Sequence, residues 1–118
     1  MSYYFTKKLS LDFETAINKV TDELKKEGFG VLTEIDVDFR KYKILGACNP
    51  VFAHKALSAE PHIGTMLPCN VIVQEIENNL VEVSAVDPVA SMMAVKNESL
   101  GETALQVQAK LKKVIDNL

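Results

Sequence analysis

Tyr42-Lys43-Ile44-Leu45-Gly46-Ala47-Cys48-Asn49-Pro50 carries the reading of this chain. Ile44 to Cys48 shows no alternation of polar and apolar residues, the pattern of a strand covered on both faces and central in its sheet. Asn49-Pro50 then reads as a helix start. Asparagine caps orphan N–H groups, and proline at the first helical position gives up a donor that has no partner there. A buried strand thus runs straight into a helix and leaves Cys48 at the junction, where unpaired N–H groups and the helix dipole favour a thiolate.

Downstream, the helix runs from about Pro50 to Ser58 and stops before Glu60-Pro61, because a residue preceding proline is pushed out of the helical region. His62 to Leu67 is a loop. Residues 69–76 and 80–86 are two β-rich runs joined by Glu77-Asn78-Asn79, an antiparallel hairpin. Asp87-Pro88 repeats the earlier junction and introduces a short helix, Val89 to Val95. Ser99 with Glu102 forms a capping-box pattern, and Leu100, Ala104, Val107, Leu111, Val114 and Leu118 make the apolar stripe of a last helix.

Upstream, residues 2–8 read as a first strand. Ser10 offers an N-cap, and Phe13, Ala16, Ile17, Val20 and Leu24 lie on one face of a helix that ends at Gly28. Phe29, Val31, Thr33, Ile35 and Val37 alternate with more polar partners, a strand with one apolar face. The order is βαββαββαα. It predicts one α+β domain over residues 1–118, a two-layer sandwich with a mixed sheet of about five strands and helices packed on it. A ferredoxin-like βαββαβ opening is the alternative.

Composition agrees with a globular domain: 47% of residues are apolar and 25% charged, with a formal net charge of −3. That charge argues against nucleic acid as a partner, and no segment reads as a membrane span. The start has neither a long apolar run nor a cleavage-site pattern, so a cytoplasmic protein is expected, with its two cysteines, Cys48 and Cys69, kept as thiols.

Three constellations could carry chemistry. Cys48 and Cys69, each beside an asparagine and near a proline, could face one another and, with His54 and His62 close in sequence, ligate zinc or another transition metal. The same residues read equally as two small buried hydrophobes. The helix starts Asn49-Pro50 and Asp87-Pro88 could frame one ligand pocket if their strands end on the same sheet edge, although good capping explains them too. Cys48 with a nearby histidine could be a nucleophile, but no Ser-His-Asp set, P-loop or HExxH pattern accompanies it. The candidate ligand-binding residues are Cys48, Asn49, Cys69, Asn70 and Asp87; the candidate metal ligands are Cys48, His54 and Cys69.

The runs Glu34-Ile35-Asp36-Val37, Asp38-Phe39-Arg40, Tyr42 to Pro50, Ala53, Ala56-Leu57 and Leu67-Pro68-Cys69-Asn70-Val71, with the turn at Gly28-Phe29, resemble the domain of unknown function family 302. The resemblance covers nearly the whole chain. It implies a compact two-layer α/β domain that forms a homodimer, and it assigns no activity. Members usually carry a further short lysine-rich helical segment where Val37 here runs directly into Asp38-Phe39-Arg40, which implies a more open site in this chain. The function expected is a small dimeric domain that binds a metal ion or small ligand around Cys48 and Cys69. The rivals are a thiol-dependent enzyme using Cys48 and a purely structural dimer.

Overall fold

Phe13, Ala16, Ile17, Val20 and Leu24 are all buried, and helix α1 (Phe13–Lys26) presents them as one stripe. The computed structural model describes residues 2–118. The helix cap is Asp12 rather than Ser10: its carboxylate accepts from the Thr15 N–H at 3.2 Å, which shortens the helix by a residue or two at its start. Gly28, with φ of +85°, ends the turn beyond the helix as expected.

The strands are β1 (Tyr4–Leu9), β2 (Gly30–Asp36), β3 (Tyr42–Cys48), β4 (Cys69–Glu77) and β5 (Leu80–Val86). They form one five-stranded sheet in the order β1-β5-β4-β3-β2. All four pairings are antiparallel, so the sheet is not mixed. The reason lies in the α1 crossover, which joins β1 and β2 at opposite edges and so never sets two parallel strands side by side. A ferredoxin-like opening is excluded on the same ground, because β1 pairs with β5. The central strand is β4, and β3 lies one place from the edge.

Helix α2 (Pro50–Ala59) and a 3-10 helix (Pro61–Met66) link β3 to β4, and α3 (Pro88–Ser91) and α4 (Ser99–Asp116) follow β5. The 3-10 helix replaces the expected loop. The capping box at Ser99 does not form; instead the Asn97 side chain accepts from the Ser99 N–H at 3.1 Å. Helices α1 and α4 cover one face of the sheet. Their stripes pack on Leu45, Ala47, Val71, Val73, Val81 and Val83 in a single core. Each fully buried aliphatic side chain there contributes about 1.5–3 kcal/mol relative to exposure.

The expected apolar face of β2 is split by a bulge. Val31 pairs with Ala47 but Thr33 with Gly46, so Leu32 is the extra residue. Val31 therefore joins the core while Thr33 and Ile35 turn to the opposite face, and Ile35 is 52% exposed.

Candidate functional site

Antiparallel register brings the junctions together. Gly30 pairs with Cys48, Ala47 with Cys69, Val71 with Ala85, and Tyr4 with Val86. The starts of α2 and α3 and the start of β4 thus lie at one end of the sheet. The cis Leu67–Pro68 bond delivers the chain into β4, and Pro68 packs on Gly46.

Between this sheet end, α2 and the 3-10 helix lies a cleft of about 360 Å³. Phe29, Leu32, Phe52, Leu57 and Leu67 supply much of its wall, and Cys48 and Cys69 both border it. The two cysteines are free thiols. Burial pushes the Cys69 thiol up to about 11, with a smaller upward contribution from neighbouring Cys48. Cys69 is therefore a neutral thiol at pH 7, the opposite of an activated nucleophile.

Asn49 lines the cleft but does not cap α2. Its amide nitrogen instead donates to the Glu27 carbonyl at 3.3 Å, tying the α2 start to the turn after α1. Asn70 is exposed at the sheet end, outside the cleft lining. Asp87 stands apart: one of its carboxylate oxygens accepts from the Val89 N–H, and both accept from Gln108 Nε2 at 3.0 and 3.2 Å. It caps α3 and holds α4.

The expected metal trio Cys48, His54 and Cys69 is not gathered in one place among the described residues. His54 is exposed on α2 and does not line the cleft, and His62 pairs with Glu60 with its side chain 94% exposed. Among the described residues no three of His, Cys, Asp or Glu are gathered to hold a metal ion. Two thiols alone fall short of the four ligands of a structural zinc site or the three of a catalytic one. The apolar cleft was missed in the sequence. Its signals are Leu32, which breaks the β2 alternation, and the apolar α2 residues Phe52, which packs only in part on the core, and Leu57, which stays exposed.

No helix is long and apolar enough to cross a membrane among the described residues. The family model for DUF302, a domain of unknown function, matches residues 5–118. No curated protein matches the chain. A crystal structure of an uncharacterized conserved DUF302 protein from Bacillus stearothermophilus is similar, with 26% identity, 98% of each chain covered and a TM-score of 0.89. Fold, matched length and sequence agree, and the chain belongs to the DUF302 family.

Proposed function

We propose that this domain is a binding protein for a small, predominantly apolar molecule held in the Cys48/Cys69 cleft, and that it works as a homodimer. The observation that carries the reading is the cleft itself: about 360 Å³, walled by aromatic and aliphatic side chains, with two thiols and Asn49 in its lining. Its volume falls within the roughly 300–1,000 Å³ of small-molecule pockets, which are mostly apolar with a few placed polar groups. An isolated ion gains little in such a wall, because burying a charge without partners is costly. An aromatic or branched aliphatic ligand gains both burial and soft contact with sulfur. An enzyme built on a Cys48–His pair has less support, since neither histidine lines the cleft.

Titration with N-phenylnaphthylamine, whose fluorescence rises in apolar surroundings, tests the reading. Saturable binding is expected, weakened at least about tenfold by Ala53→Trp, which fills the cleft from α2. Far-UV circular dichroism checks that the variant folds. Absence of saturable binding to the unmodified protein, or equal binding by a folded Ala53→Trp variant, overturns it.

A further inference from the structure

Asn49 is only 9% exposed, yet its side-chain amide is satisfied on one side alone. The nitrogen donates to the Glu27 carbonyl at 3.3 Å, while the oxygen accepts from no group among the described residues. That oxygen is not sealed off, because no fully buried side-chain oxygen among the described residues lacks a partner. The cavity that Asn49 borders is the cleft, the route by which a donor reaches it. An asparagine at a helix N-cap ordinarily turns this oxygen to the second or third N–H of its helix. In α2 that bond is missing. Pro50 has no N–H, and those of Val51 and Phe52 find no partner among the described residues; Ala53 is the first to bond, donating to the Asn49 carbonyl at 2.9 Å. Phe52 itself lines the cleft. Both halves of the missing cap, an acceptor and its neighbouring donors, are thus left open beside a largely apolar lining.

We infer that the molecule held in the cleft carries an uncharged hydroxyl on its apolar body, and that this hydroxyl completes the cap of α2 by bridging Asn49 Oδ1 and the Phe52 N–H. The inference rests on the binding reading above and names the class of ligand. A hydroxyl donates one hydrogen bond and accepts others, so it matches both open groups at once. A carboxylate only accepts. The helix start would favour its charge, but it would set oxygen against the Asn49 oxygen, and no charged side chain lines the cleft to compensate. The Lys55 ammonium lies over the Phe52 ring at 5.5 Å and is not in the lining. An ammonium only donates, and it would meet the positive end of the helix dipole. A bare hydrocarbon would shut both cap groups away from water without partners, which costs more than their hydrogen bonds return.

Competition against bound N-phenylnaphthylamine by 2-naphthol, 2-methylnaphthalene and 2-naphthoate at neutral pH, on the unmodified protein and on Asn49→Ala, tests this. The three competitors share one ring system and differ in a neutral hydroxyl, a methyl group and a carboxylate. On the unmodified protein 2-naphthol is expected to displace the dye at the lowest concentration. Its advantage over 2-methylnaphthalene should shrink about five- to tenfold in Asn49→Ala, the worth of one hydrogen bond. Circular dichroism checks that the variant folds; if it does not, the ranking of the three competitors on the unmodified protein decides by itself. A dye that never binds saturably overturns the binding reading and this inference with it. A dye that binds but yields as readily to 2-methylnaphthalene or 2-naphthoate overturns the hydroxyl alone, and so does an advantage that survives unchanged in folded Asn49→Ala.

Discussion

Pro68 sits on Gly46: a Cβ placed on Gly46 would lie 2.8 Å from Pro68 Cγ and closer still to the Thr33 hydroxyl. Two chain segments therefore approach β3 as closely as its backbone allows. Gly46→Ala is expected to destabilise the fold by about 1–3 kcal/mol, the usual cost of overpacking. Thr33→Ala in the same chain should recover part of that loss, since it removes the nearer clash. Urea unfolding of the two variants decides it; a Gly46→Ala protein as stable as the parent refutes the close approach.

Cys69 should alkylate slowly. With its thiol at about 11 rather than the ordinary 9.0, the thiolate fraction at pH 8 falls about a hundredfold. In a Cys48→Ser variant, which leaves Cys69 as the sole thiol, iodoacetamide labelling is expected to lag that of the unfolded chain by at least that factor. Labelling at the unfolded rate would show that the thiol is not buried.

The same shift sets a pH dependence. Below about pH 9 both the folded and the unfolded chain hold the Cys69 proton; between 9 and 11 only the folded chain does, so stability falls as pH rises. The loss reaches about 2–3 kcal/mol above pH 11. The difference in unfolding free energy between the unmodified protein and Cys69→Ala should narrow over this window. A difference independent of pH would count against the burial of the thiol.

Asp87 is expected to act in stability and not in the cleft. Asp87→Ala should cost about 1–2 kcal/mol by removing the cap of α3 and the acceptor for Gln108. Naphthylamine binding should be unchanged at temperatures where the variant is folded. A selective loss of dye binding would place Asp87 in the ligand site.

Asn49 makes the complementary case at the other helix start. Asn49→Ala leaves the Glu27 carbonyl without its side-chain donor, at an expected cost of about 1–2 kcal/mol. Gly28→Ala should add strain at φ of +85° and meet the same amide, 3.0 Å away. Because the two changes share one contact, their costs should not be additive, and a double-mutant cycle measures the coupling. Strict additivity would separate the two residues.

By itself the sequence determined the strands and the longer helices, but not the 3-10 helix Pro61–Met66 or the short extent of α3, Pro88–Ser91, where a helix to Val95 is expected. The stripe from Phe13 to Leu24 could be buried only as a helix, Asn49-Pro50 and Asp87-Pro88 could only begin one, and the paired β-rich runs about Asn78 could only turn back on each other. These are local matters of period, φ and missing donors, and they need no partner from elsewhere in the chain. The unalternating run Ile44 to Cys48 reads as a central strand covered on both faces; the strand forms, but β4 is central and the helices cover only the face that carries Leu45 and Ala47.

Only the tertiary structure decided what those elements do together. Strand direction across the sheet depends on where the α1 crossover lands, and the bulge at Leu32 depends on how β2 meets β3. Asn49 finds the Glu27 carbonyl instead of its own helix because the turn after α1 is brought against it. His54 could not be separated from the thiols by spacing alone; the rotation of α2 leaves it in solvent. Side-chain partners across many residues are set by packing, and no local pattern in the chain encodes which of two satisfied arrangements wins.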